Sequence, residues 1–145
     1  MNRSATSPIP EAWSGTVSDW MSREPTAVVE DCPIRWALGQ MQEAGIRHLL
    51  VLDGDRLSGI VSTRDVRRLA VEDLRSPLLS EPVARIMTED PVTVAPDVPV
   101  AEAARLLLEQ KIGALPVRDG DRIVGIFTTA DALEALLVMV EEHAA

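Results

Sequence analysis

The sequence predicts an α/β (α+β) protein made of two tandem β-α-β-β-α repeats related by pseudo-twofold symmetry. Three observations carry that reading. Slid on itself by 66 positions, Met21 to Asp65 overlies Met87 to Asp131 without a gap, with Asp-x-Pro, Asp-Gly-Asp-Arg and a trailing Asp in one register. Each copy runs through apolar stretches of strand length, a stretch of helical periodicity and a strong hairpin turn, in the same order. At 145 residues the chain suits one domain or a pair of half-domains. A unit of ~60 residues alone buries too little surface, so the two copies are expected to share one body with ligand-sized clefts between its halves.

Residues 1–15 read as a mobile N-terminal arm, with Trp13 able to tack it down. The first repeat spans 16–75, a linker 76–82, the second repeat 83–140 and a C-terminal tail 141–145. Each repeat opens with an extended piece, Thr26 to Val29 and Val92 to Ala95. Asp31 and Asp97 are then expected to cap helices that carry Pro33 and Pro99 in their first turns. Ile34, Ala37, Leu38 and Met41 make the i, i+3, i+4, i+7 stripe of a buried face, repeated by Val100, Ala103, Ala104 and Leu107. An apolar strand follows, His48 to Leu52 or Ala114 to Val117. It turns at Asp53-Gly54 or Asp119-Gly120 and returns over Leu57 to Ser62 or Ile123 to Thr128. A second helix starts near Thr63 and Thr129. The last helix is apolar around most of its circumference from Asp131 to Val140, which predicts a homodimer formed through helices.

Composition narrows the function classes. The net charge of −9, with no lysine-rich tail, predicts no nucleic-acid partner and no adhesion to an anionic membrane. A single cysteine, Cys32, leaves no internal disulfide and no multi-Cys metal site, and fits a cytoplasmic protein. Its twin is Val98, so Cys32 reads as a small buried hydrophobe. The alternative is a thiol of lowered pKa at a helix N-terminus. Trp36 stands where the second copy has Glu102, so it is expected to be shallow and to mark a subunit contact. No nucleophile–base pair, HExxH, Walker loop or CxxC is present, which argues against an enzyme.

The chemistry concentrates in Gly59-Ile60-Val61-Ser62-Thr63-Arg64-Asp65 and its twin Gly125-Ile126-Phe127-Thr128-Thr129-Ala130-Asp131. Both cross a strand-to-helix junction, where free N–H groups and the helix dipole suit a phosphate. An Asp one turn in can accept two hydrogen bonds from a ribose diol, and the glycine admits a ligand close to the backbone. Equally, Ser62-x-x-Asp65 and Thr128-x-x-Asp131 have the form of capping boxes, useful with no ligand present.

With these residues in view, the chain resembles a stand-alone CBS-domain pair, or Bateman module, over about residues 16–138. The resemblance rests on the order of elements, the Ile112-Gly113-Ala114-Leu115-Pro116-Val117 stretch, the Asp-Gly turn and the Gly-h-h-Ser/Thr-x-x-Asp ending in both copies. It implies a non-enzymatic regulatory module, with no required cofactor, that binds an adenine nucleotide or related ligand: AMP, ADP, ATP, S-adenosylmethionine or NAD. By position, Asp65 and Asp131 would take ribose hydroxyls, with Ser62 and Thr128 near the ribose or phosphate. Backbone at Ala27-Val28 and Thr93-Val94, with side chains at Ile46 to Leu49 or Ile112 to Leu115, would line the base.

The two copies differ at this site. Arg64, then Arg67 and Arg68, favour a phosphate in the first; Ala130, Leu133 and Glu134 stand there in the second. The alternative for the arginines is a solvated helix face. His48 stands where the second copy has Ala114, and Arg47 and His48 add bulk beside the expected base pocket, where they either contact the ligand or plug the cleft; the alternative for His48 is a satisfied or surface histidine. The function expected is therefore adenosine-ligand sensing that modulates an unknown partner protein. The alternative is a ligand-independent interaction module docking on an enzyme or transporter.

Overall fold

Hydrophobic periodicity and turn chemistry are realised locally almost as read, and the departures come where a distant backbone segment intervenes. The computed structural model describes residues 15–72 and 78–143. Residues 1–14 of the expected arm, with Trp13, part of the linker and the end of the tail lie outside the described residues. In chain order the elements are α1 (Val17–Trp20), β1 (Ser22–Arg23), β2 (Ala27–Val29), α2 (Ile34–Ala44), β3 (His48–Asp53), β4 (Arg56–Ser62) and α3 (Thr63–Glu72). Two short 3-10 turns at Leu78–Ser80 and Val83–Arg85 lead into β5 (Thr88–Glu89). Then come α4 (Val100–Gln110), β6 (Ala114–Asp119), β7 (Arg122–Thr128) and α5 (Thr129–His143). The fold is mixed α+β, with five α-helices and two sheets among the described residues.

One sheet has the order β2-β3-β4-β5 and the other β1-β7-β6. β2 runs parallel to β3, with Ala27 opposite Leu50 and Val29 opposite Leu52. β3 and β4 form an antiparallel hairpin whose turn needs the positive φ of Gly54. Ile34, Ala37 and Met41 of α2 are buried against Leu49, Val51 and Val61, as the stripe predicts. The corresponding core on the other sheet joins Val100, Ala103 and Leu107 to Leu115, Val117 and Phe127. Each large side chain so buried contributes about 1.5–3 kcal/mol.

By packing, the chain divides into two compact units that are offset from the sequence repeats. One consists of Glu24–Val92 with Gly120–Ile123. The other joins the chain up to Arg23 to Thr93–Asp119 and the chain from Val124 on. The offset has a clear cause. The opening segment of the first repeat completes the sheet of the second: Ser22 pairs with Ile126 and Arg23 with Gly125. The opening segment of the second repeat completes the sheet of the first: Thr88 pairs with Ile60 and Glu89 with Gly59.

Two sequence expectations are corrected. Asp31 and Asp97 are not the N-caps; Pro33 and Pro99 are, and no side chain caps either helix. The free N–H of Ile34 is satisfied instead by the Glu81 carbonyl (2.8 Å), and that of Val100 by the Gly15 carbonyl (2.8 Å). A backbone acceptor brought from far in sequence does the work expected of aspartate. The strand expected at Val92 to Ala95 is also reduced, to a single parallel bridge of Val94 with Val117. In the first copy the Leu50 N–H donates to the Thr26 carbonyl (3.2 Å). Its counterpart is Pro116, which has no N–H, so that rung of the ladder is missing.

Candidate functional site

The β4–α3 and β7–α5 junctions each carry a hydroxyl and a carboxylate held against one another. Asp65 Oδ2 accepts from the Ser62 N–H (2.7 Å) and from Ser62 Oγ (2.9 Å), while the Asp65 N–H donates to Ser62 Oγ (3.3 Å). Asp131 Oδ2 accepts from the Thr128 N–H (2.8 Å) and Thr128 Oγ1 (3.1 Å), with the return bond at 3.4 Å. Both are therefore capping boxes. The same arrangement closes α1, where the Thr16 N–H donates to Asp19 Oδ2 (2.9 Å). In Asp65 and Asp131 the bonds use one carboxylate oxygen. Among the described residues no hydrogen bond engages Oδ1 of either.

Around Asp65 the fold brings together His48, Arg47 and Arg64. His48, at the start of β3, lies in register with Ser62. The Thr63 N–H donates to the Arg47 carbonyl (3.1 Å), which ties the start of β3 to the first residue of α3. His48 is half-buried, and desolvation lowers its pKa; Asp65 opposes that shift, and Arg47 and Arg64 reinforce it. Arg64, Arg67 and Arg68 sit on the exposed face of α3, opposite the buried Val66 and Leu69. The Val28 side chain belongs to the core, so β2 offers a ligand only its backbone there, along with the half-buried Ala27.

The second junction is built alike and charged differently. Ala114 is buried in place of His48, and the Thr129 N–H donates to the Gly113 carbonyl (3.1 Å). Val94 is buried and bonded on both sides, its N–H to Pro116 O (3.1 Å) and its O to the Arg118 N–H (2.8 Å), while Thr93 is half-buried. Burial raises the pKa of Asp131; the Thr128 hydrogen bonds oppose that shift and Glu134 adds to it. The carboxylate thus stands in a less cationic setting than the sequence of the first copy provides for Asp65.

One expectation is corrected here, and the choice left at Cys32 is decided for the buried hydrophobe. Gly59 and Gly125 do not hold space for a ligand. A Cβ on Gly59 would stand 2.6 Å from Thr88 O, and one on Gly125 would stand 2.7 Å from Ser22 O, so what approaches is the neighbouring strand. Cys32 is a buried thiol whose pKa is raised, chiefly by desolvation, and its Sγ faces the Pro33 carbonyl (3.5 Å). The helix N-terminus does not activate it.

Sequence reasoning missed a groove of about 670 Å³ lined by Ala27, Val28, Val29, Asp31, Cys32, Pro33, Trp36, Leu52 and Gly54. It shares Ala27 and Val28 with the expected base-binding set. It lies toward the opposite end of β2 and β3 from His48, Ser62 and Asp65, which do not line it. Trp36 is 53% exposed, as its pairing with Glu102 suggests, and Val29 is 58% exposed. Trp36, standing where the second copy has Glu102, was the available signal. Among the described residues no cluster of His, Cys, Asp or Glu is arranged for a metal, and no helix is long and apolar enough to cross a membrane.

The depressed pKa of His48 has a measurable consequence. Its folded-state value lies below the unfolded value of about 6.5. The stability it contributes is complete above that pH and is lost as pH falls through the folded value. Between neutral pH and pH ~5, wild type should therefore lose more stability than His48→Gln, read from urea midpoints. Parallel curves for the two proteins would show that His48 is not desolvated.

The CBS domain family model matches residues 17–72 and 83–138. A CBS domain-containing protein of Dictyostelium discoideum is 34% identical over 136 residues, which cover 86% of this chain and 93% of that one. Against the homoserine O-acetyltransferase of Methanohalobium evestigatum the identity is also 34%, but the chain spans only 23% of that protein. The crystal structure of CBSX2 in complex with AMP superposes with a TM-score of 0.73 at 30% identity, covering 86% of this chain and 98% of that one. The CBS domain pair of protein MJ0100, in complex with 5′-methylthioadenosine and S-adenosyl-L-methionine, superposes with a TM-score of 0.77 at 26% identity, covering 86% and 97%.

Proposed function

We propose, for a chain that belongs to the CBS-domain family and carries two copies of its domain, that it is a cytoplasmic regulatory module. It binds an adenosine-containing ligand beside Asp65 and passes that event to a partner protein. The observation that carries this reading is the division of labour within the Asp65 carboxylate. Oδ2 closes the capping box while Oδ1 has no partner among the described residues, at a junction that also gathers Ser62, His48 and Arg64. A ribose diol supplies the two donors such an oxygen lacks. AMP, 5′-methylthioadenosine and S-adenosylmethionine, the ligands of the two similar structures, share that diol. Binding regulates only insofar as two conformations of the module differ in affinity for the ligand.

The test is thermal unfolding of wild type and Asp65→Ala against AMP, ADP, ATP, NAD and S-adenosylmethionine. Losing the cap costs about 0.5–2 kcal/mol, so the variant melts lower but folds. A ligand at a hundred times its Kd adds about 2.7 kcal/mol to wild type, and for AMP, ADP, ATP and NAD that gain should be absent in Asp65→Ala. A folded wild type whose midpoint moves with none of these compounds would overturn the reading.

A second reading has its own support. The Thr16–Asp19 box performs the same capping at α1, so a Ser/Thr-x-x-Asp box is by itself no sign of a ligand. On that reading the module is a ligand-independent docking unit, and homodimerisation through α5 is its main activity.

A further inference from the structure

We infer that the two repeats sort ligands by charge: the first holds the phosphates of an adenine nucleotide through Arg47, Arg64 and Arg67, and the second takes an adenosine derivative without phosphate. This rests on the adenosine reading above and adds to it which ligand each repeat takes. Arg64, Arg67 and Arg68 are i, i+3 and i+4 on α3, one exposed stripe that begins beside Asp65. Arg47 joins its start, because its carbonyl accepts the Thr63 N–H. None of the four makes an ion pair among the described residues, in contrast to Arg85, which is bonded to Glu81 at 2.7 Å. These exposed arginines carry positive charge that a phosphate neutralises with paired N–H bonds.

Every one of these positions changes in the second repeat. Gly113, Ala130, Leu133 and Glu134 replace Arg47, Arg64, Arg67 and Arg68, and the buried Ala114 replaces His48. Four positive charges become one negative charge around an otherwise matching Thr128–Asp131 box. Glu134 acts on Asp131 directly, so a phosphate there would meet two carboxylates without the arginines of the first repeat. A neutral or cationic 5′ substituent meets no such penalty.

The experiment is calorimetric titration of the whole chain, as wild type, Arg64→Ala, Arg47→Ala/Arg64→Ala and Asp131→Ala, with adenosine, AMP, ATP and inorganic pyrophosphate. The arginines are exposed, and retained far-UV dichroism checks that the variants fold. Arg64→Ala should weaken AMP and ATP about ten- to hundred-fold, the double variant further, and leave adenosine within about two-fold. Asp131→Ala should leave AMP unchanged and remove an adenosine site. AMP filling both repeats with equal affinity, or AMP binding indifferent to both arginine variants, overturns the inference. Pyrophosphate separates it from its premise. If pyrophosphate binds and Arg64→Ala weakens it while no adenosine compound binds, the cationic site stands and the adenosine reading falls; if pyrophosphate also fails to bind, the phosphate site falls with it.

Discussion

Gly59→Ala and Gly125→Ala are each expected to destabilise the protein by about 1–3 kcal/mol, and more where the strand is displaced altogether. A methyl group on Gly59 would lie 2.6 Å from Thr88 O and 2.9 Å from Met87 Sδ; on Gly125 it would lie 2.7 Å from both Ser22 O and Met21 Sδ. A methionine side chain can turn away, but a carbonyl in a strand pair cannot. Relief requires moving β5 off β4, where Glu89 faces Gly59, or β1 off β7, where Arg23 faces Gly125. Gly39→Ala is the matched control. It lies within α2 with nothing within 4 Å of its added Cβ, and alanine there should stabilise by about 0.5–1 kcal/mol. Urea unfolding at fixed pH reads all three. Midpoints for Gly59→Ala and Gly125→Ala at or above that of wild type would mean that the short strands do not pack on these glycines.

The second large effect concerns α5. Leu133, Leu136, Leu137 and Val140 follow i, i+3, i+4, i+7 spacing and are 55%, 37%, 57% and 50% exposed, while Ala135 faces the core. The helix thus has two apolar faces, one of them uncovered in the single chain. A leucine buried on association contributes about 1.5–3 kcal/mol. Placing charges there instead costs their desolvation as well. The double substitution Leu133→Lys/Leu137→Lys should therefore weaken self-association at least about a hundred-fold, converting the proposed homodimer to monomer in analytical ultracentrifugation. Its helix content should not change, because neither side chain supports the core. Wild type sedimenting as a monomer across the accessible concentration range would remove the homodimer and leave α5 without a self-partner.

The two helices also differ in what they present. At the position where α3 carries Arg67, α5 carries Leu133. In one repeat that surface is cationic, and in the other it continues the apolar stripe. A duplicated fold can divide ligand binding and association between its copies by a handful of exposed substitutions, since neither set disturbs the buried faces of Val66 and Leu69 or of Ala135.

What the sequence by itself determined is everything carried by short-range pattern. The stripes Ile34-Ala37-Met41 and Val100-Ala103-Leu107 select helices and their buried faces. Asp-Gly turns with positive φ at Gly54 and Gly120 set the hairpins, and Ser62-x-x-Asp65 with Thr128-x-x-Asp131 start the second helices. The candidate site was legible to the same extent, because Ser62, Arg64 and Asp65 are neighbours in the chain and His48 is the strand partner of Ser62. Tertiary structure decided what depends on groups far apart in sequence. The Gly15 and Glu81 carbonyls, not Asp97 and Asp31, satisfy the helix N–H groups. Ser22 and Thr88, not a ligand, fill the space beside Gly125 and Gly59, and Pro116 thins the ladder at Val94. The physical reason is common to all three. A backbone donor, acceptor or open face is specified locally as a need, but which segment of chain meets it is settled only when the sheets assemble.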